Sequence, residues 1–299
     1  MYSFTHKIVY VIVTTVVAYF GFQSLDLILD LYQVQTYFAV AWYVYIFHIF
    51  WLMFIFDLHF KYAGHLEHHR TRFEGVGLFW QSFKSRIKHL YHWTYIRRYL
   101  NYLILPTVMF WSVIILMYLN PFHQLFKDVL IILTTGAMSV MYWYFKESFS
   151  HHMELHKTGL KILSLVKIYS AFIGFTAIMA LGWYFGLSLS VLVPSVFIIT
   201  FLLLYQNLFQ HRLLTISLYP VMFMFSTLVT LVFVLIFQSW NVNYYTAGLF
   251  VVVVYTACWS VIHKYLDNEL TWPVFWEHLF MLVVLISIIL STHDFQGRI

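Results

Sequence analysis

"LTISLYPVMFMFSTLVTLVFVLIFQ" (residues 214–238) has no charged side chain and consists mostly of Leu, Val, Phe, Met and Thr. A helix of about 20 predominantly apolar residues spans the hydrocarbon core of a bilayer. Similar runs recur along the chain, which is 62% hydrophobic and only 10% charged over 299 residues. This composition excludes an ordinary soluble domain.

About nine apolar segments are long enough to cross a membrane. They lie near residues 8–24, 36–57, 100–119, 127–146, 161–185, 188–206, 214–238, 244–262 and 273–291. We therefore predict an all-α fold, a polytopic transmembrane helical bundle that forms a single integral membrane domain over residues 1–299. An eight-span bundle is the alternative, because only the short turn FGLSLSVL separates 161–185 from 188–206.

The distribution of Lys and Arg predicts the orientation. With nine spans and a cytoplasmic N-terminus, 15 of the 17 Lys and Arg fall on the inner side, and only Lys127 and Arg298 fall outside. This bias is the one expected of a membrane protein. It also accounts for most of the net charge of +5, so no nucleic-acid partner is expected. The first apolar run lacks a small-residue cleavage pattern and is interpreted as a retained helix. The predicted location is the cell (plasma) membrane.

Two histidine clusters occur in the predicted inner segments, at GHLEHHRTRF (64–73) and KESFSHHMELHKTG (146–159). In a helix, positions i, i+3 and i+4 share one face, so His65, His68 and His69 can converge, as can His152 and His156. Neutral imidazoles with carboxylates are ligands for zinc, iron or manganese. The candidate metal ligands are His65, His68, His69, His151, His152 and His156, with Glu147 and Glu154 as candidate catalytic, bridging or proton-handling groups. An interfacial belt of histidines, with an apolar body and a polar tip, is the alternative.

The boxes H-x-x-H-H (His65, His68, His69) and H-x-x-x-H-K (His152, His156, Lys157) resemble the histidine boxes of integral-membrane diiron desaturases and hydroxylases. The box order is reversed relative to that family, and its last H-x-x-H-H box is missing here. The resemblance implies a transition-metal cofactor, two irons in that family, on the cytoplasmic side. It also implies an oxidoreductase that uses oxygen on a lipid or another lipophilic substrate.

Residues 77–98 predict an amphipathic helix on the inner leaflet, with aromatic residues opposite basic ones. Its basic residues would bind membrane lipids, a cytoplasmic protein partner or an electron donor. They are Lys84, Arg86, Lys88, Arg97 and Arg98. A non-catalytic membrane subunit or permease that docks a partner through this helix is therefore an alternative function, and the sequence does not decide whether the protein is an enzyme.

Three ionisable side chains, His48, Glu277 and His278, are predicted inside spans. Such groups are costly in the membrane and usually face a partner or a cavity. Glu277 is expected to pair with His263 or Lys264, and His48 to hydrogen bond to a neighbouring helix. A haem is not expected, because His48 has no second histidine at matching depth. A transporter or channel that uses Glu277 and His278 is a further alternative. Lys167 is expected to extend to the inner interface.

Overall fold

The computed structural model describes residues 4–31, 33–65, 93–119, 124–150, 157–210, 218–239 and 242–291. Every long regular element in these ranges is an α-helix, and no strand occurs in them. The helices are α1 (Phe4–Leu31), α2 (Val34–His65), α3 (Trp93–Tyr118), α4 (Gln124–Ser150), α5 (Lys157–Phe185), α6 (Leu189–Gln210), α7 (Tyr219–Ser239), α8 (Tyr244–Leu266) and α9 (Trp272–Ser291).

Each apolar segment identified in the sequence coincides with one of these helices, so the all-α prediction is confirmed. Six helices contain stretches that are long and apolar enough to cross a membrane. These stretches are Val11–Leu31, Gln124–Tyr144, Lys161–Phe185, Leu189–Leu208, Tyr219–Ser239 and Tyr244–Leu266. Two shorter apolar helical stretches are Tyr102–Tyr118 and Trp272–Ile288. The chain is therefore treated as an integral membrane protein; the number of spans and their orientation remain predictions.

Large apolar side chains are exposed on most of these helices, including Phe20, Phe47, Leu133, Leu235 and Phe280. Large exposed apolar surfaces are rare on soluble monomers. In a bilayer the same side chains contact lipid tails, and the helix satisfies its own backbone hydrogen bonds.

The chain divides into two compact units. The first unit comprises Met1–Ile104 and Met138–Leu163, and the second comprises Leu105–Ala137 and Ser164–Ile299. In the first unit, α1 and α2 pack as a hairpin. The hydroxyl groups of Thr15 on α1 and Ser139 on α4 are 2.6 Å apart, so α4 packs against this hairpin.

In the second unit, α6 packs against α7, α7 against α8, and α8 against α9. The turn between α5 and α6 contains Gly186 at φ +59°, a left-handed conformation that glycine adopts without a Cβ penalty. This turn separates α5 from α6. In the sequence, one span in place of these two helices was the alternative. The backbones of α5 and α8 also approach each other closely. A Cβ added to Gly248 of α8 would lie 2.9 Å from the Cα atom of Thr176 on α5.

Candidate functional site

The helices α2 and α4 lead directly into the two histidine clusters. His65 is the last residue of α2, and Ser150, the last residue of α4, immediately precedes His151. Glu147 lies in the last turn of α4. The side chains of His65 and Glu147 lie outside the described part of the structure, as do the whole residues His68, His69, His151, His152, Glu154 and His156.

A buried hydrogen bond joins α2 to α4 within the first unit. The Nε2 atom of His48 lies 3.1 Å from the hydroxyl oxygen of Tyr142, and their rings meet edge to face with centroids 6.3 Å apart. Both side chains are buried. A buried polar group needs a partner to offset its desolvation, and these two groups satisfy each other. The hydrogen bond expected for His48 is therefore present, and it fixes the helices that carry the two clusters against one another.

In the described ranges, no three or more His, Cys, Asp and Glu side chains come together as a group that could hold a metal ion. This observation does not extend to the histidine clusters. The donor set of the clusters, imidazoles with two carboxylates in an apolar chain, fits iron, zinc or manganese.

The predicted basic helix is described only at its end. Trp93 begins α3, so Arg97 and Arg98 lie in the first two turns of a helix that continues to Tyr118. Lys84, Arg86 and Lys88 lie outside the described residues. Residues 97 and 98 thus belong to the helix that continues into the apolar stretch Tyr102–Tyr118.

The ion pair expected between Glu277 and His263 or Lys264 is wrong, because both partners are engaged by carboxylates at the turn between α8 and α9. His263 Nδ1 lies 2.9 Å from Asp267 Oδ2, and the ammonium group of Lys264 forms an ion pair with Glu269. Glu277 is exposed and contributes only a weak electrostatic interaction with Lys264. The reason is local: Asn268 adopts φ +57°, and the Glu269 amide donates to the Lys264 carbonyl oxygen at 3.0 Å, which places the Glu269 carboxylate nearer.

His278 differs from Glu277 in its surroundings. Its side chain is partly buried, and its Nδ1 atom is buried with no hydrogen-bond partner in the structure. The two adjacent residues therefore point in different directions, as their spacing on a helix requires. Only His278 faces protein.

The burial of several polar side chains in the second unit was not predicted from the sequence. Lys167, expected at the inner interface, is only 4% exposed. Ser170 and Gln206 are fully buried, and the Asn207 Nδ2 atom donates to the hydroxyl oxygen of Tyr255 at 3.0 Å. The sequence pattern that could have indicated this burial is the spacing of the polar residues. Lys167 and Ser170 are three positions apart on one face of an apolar helix, and Gln206 and Asn207 interrupt the apolar sequence of the next helix.

No protein-family model matches this chain, and neither a curated protein nor a solved structure shows significant similarity to it.

Proposed function

We propose that the protein is an integral membrane, metal-dependent oxidoreductase of the diiron type that acts on a lipid or another lipophilic substrate. The observation that supports it is the His48–Tyr142 hydrogen bond. It joins α2, which ends at His65, to α4, which ends one residue before His151. The two clusters are therefore attached to helices that contact each other within one compact unit.

In this proposal the imidazoles of His65, His68, His69, His152 and His156 hold the metal, and His151 is a further ligand. Glu147 and Glu154 would serve as further carboxylate ligands or as groups that accept and return a proton. Two irons, when bound, supply the activation of oxygen for the oxidation of a C–H bond. The bilayer delivers the substrate chain laterally, and Arg97 and Arg98 contribute to a basic surface for an electron donor or anionic lipid.

The geometry adds one requirement. His65 lies about 26 Å beyond His48 along α2, whereas Ser150, the last residue of α4, lies about 12 Å beyond Tyr142. Where both helices run to the inner face, as the charge distribution predicts, the segment after α2 must turn back toward α4 for the ligands to meet.

The test is elemental analysis of the protein purified in detergent without chelator. We expect about two transition-metal ions per chain, iron first among them, and their loss in a His65/His68/His152/His156→Ala variant. His263→Gln is the matched control, because its partner is Asp267 and it lies outside both clusters. It should keep the metal.

Metal-loaded protein supplied with an electron donor should also consume oxygen when a lipid substrate is added, and the four-histidine variant should not. Wild-type protein without stoichiometric metal would overturn the proposal. The search would then turn to a cytoplasmic partner of the basic segment, the function of a non-catalytic subunit.

A further inference from the structure

The second unit contains a buried lysine that no carboxylate in the described part of the unit neutralises. Lys167 lies on α5 about 9 Å from Lys161, where the membrane-spanning stretch begins. Four carboxylates occur in the described part of this unit: Asp128, Asp267, Glu269 and Glu277. All four are exposed or half-exposed, and none forms an ion pair with Lys167 in the structure. A buried ammonium group is costly unless an anion or hydrogen-bond acceptors surround it.

A second donor lies on the same face of α5. Ser170 is three positions from Lys167 and fully buried, and its Oγ atom has no hydrogen-bond partner in the structure. Serine in a membrane helix commonly donates to a carbonyl oxygen of the preceding turn, as Thr200 and Thr230 do here. Ser170 does not, so its hydroxyl proton is available to an acceptor outside the helix.

The next helix in the chain, α6, carries two buried amide side chains near its end. A Cβ on Gly174 of α5 would lie 4.0 Å from the Cγ2 atom of Ile199 on α6, so the two helices come into contact at this level. If the antiparallel pairing continues for two turns away from Gly186, Lys167 comes level with Gln206, because seven residues return each helix to nearly the same face. Gln206 and Asn207 are both buried.

We propose that Lys167 and Ser170 of α5, with Gln206 and Asn207 of α6, form a buried site for the oxyanion of an amphiphile. The ligand carries a carboxylate or a phosphate group, which accepts hydrogen bonds from the ammonium group and the hydroxyl and supplies the negative charge that this core lacks. The site lies within membrane-spanning helices, so an amphiphile can reach it from the bilayer. The site is independent of the metal-dependent function and is tested without metal.

The first arm of the test uses the wild-type protein in a neutral detergent. Equilibrium binding and thermal stabilisation are measured with oleate against oleyl alcohol, with dioleoyl phosphatidic acid against dioleoylglycerol, and with inorganic phosphate. We expect saturable binding of an anionic probe at least about 10-fold tighter than its neutral analogue. The pair that shows the difference identifies the carboxylate or the phosphate, and inorganic phosphate alone would identify a free anion. No preference for any anionic probe would overturn the proposal, whatever the variants do.

The second arm uses variants. Lys167→Met should weaken binding of the preferred probe by about 10-fold or more, and Lys167→Arg should retain most of it. Ser170→Ala should weaken it by a few-fold. Lys161→Met is the matched control, because Lys161 is an exposed lysine on the same helix, and it should bind as wild type does. The Lys167→Met protein without ligand should be at least as heat-stable as wild type, because it no longer buries a charge.

A Lys167→Met protein that binds the probe as wild type does would overturn the proposal. Equal losses in Lys161→Met and Lys167→Met would also overturn it, because they would show attraction to the basic surface rather than a site. If Lys167→Met does not fold, the wild-type comparison and Ser170→Ala still decide the question.

Discussion

The Nε2 atom of His48 and the hydroxyl oxygen of Tyr142 are 3.1 Å apart, although 94 residues separate them in sequence. This hydrogen bond joins α2 to α4, the helices that lead into the two histidine clusters. It connects the proposed metal site to the stability of the first unit, because losing it loosens both helices at once.

Tyr142→Phe should therefore destabilise the protein by about 0.6–1.7 kcal/mol, the range measured for hydrogen bonds between membrane helices. The ring remains, so packing changes little, while the buried His48 loses this partner. The measurement is the free energy of unfolding in mixed micelles. Tyr43→Phe is the control, because Tyr43 lies on α2 with its side chain exposed, and it should be neutral. Equal stability of Tyr142→Phe and wild type would show that the bond does not hold α2 against α4.

Gly248→Ala should destabilise the second unit by about 1–3 kcal/mol, the usual cost of overpacking a core. The added methyl group would lie 2.9 Å from the Cα atom of Thr176, so α8 and α5 must separate. Thr176→Ala should not restore stability, because the backbone atom remains in the way.

The matched control is Gly136→Ala, since a Cβ on Gly136 meets nothing within 4 Å. It should be neutral or stabilise its helix by up to about 1 kcal/mol. Thermal unfolding of both variants in one detergent makes the comparison. A Gly248→Ala protein as stable as Gly136→Ala would contradict the close approach of α5 and α8.

The helical framework could be predicted from the sequence, because segment length and hydropathy alone require a helix wherever apolar runs must cross lipid. The boundary between 161–185 and 188–206 also had a local signal, the glycine at 186. The candidate sites could not be predicted as well, because they depend on partners distant in sequence. His48 and Tyr142 are 94 residues apart, and Asn207 and Tyr255 are 48 residues apart. No local pattern in the sequence indicates that either pair forms a hydrogen bond.

Lys167 and Glu277 show the same limit for single charges. Hydropathy places both within apolar helices, but it does not show which face each occupies. Lys167 points into the protein rather than to the interface. Glu277 does not form an ion pair with Lys264. The left-handed backbone conformation of Asn268 places the carboxylate of Glu269 beside the Lys264 ammonium group instead.

The Asn207–Tyr255 bond should be measurable as a coupling energy. Asn207→Ala and Tyr255→Phe each remove one partner, and the double variant should be more stable than the sum of the single changes implies. We expect a coupling of about 0.6–1.7 kcal/mol from the unfolding free energies of the four proteins. Additive effects would indicate that α6 and α8 are held together by packing alone.

Glu269 provides a prediction about pH. The ammonium group of Lys264 donates a hydrogen bond to this carboxylate and attracts it electrostatically, which lowers the pKa of Glu269. A carboxyl with a lowered pKa in the folded state contributes stability above its unfolded pKa and loses it as the pH falls through the folded pKa. The pair is exposed, so its contribution to stability is small, and the pKa itself is the better observable.

The carboxyl ¹³C resonance of Glu269 in micelles should therefore titrate below the ordinary glutamate range in the wild-type protein. Lys264→Gln should return the midpoint toward that range, whereas Lys264→Arg should keep it low. High salt should reduce the shift in wild type, because exposed charges are screened. An identical midpoint in wild type and Lys264→Gln would show that the ion pair does not persist in solution, and Glu277 would then again be a candidate partner for Lys264.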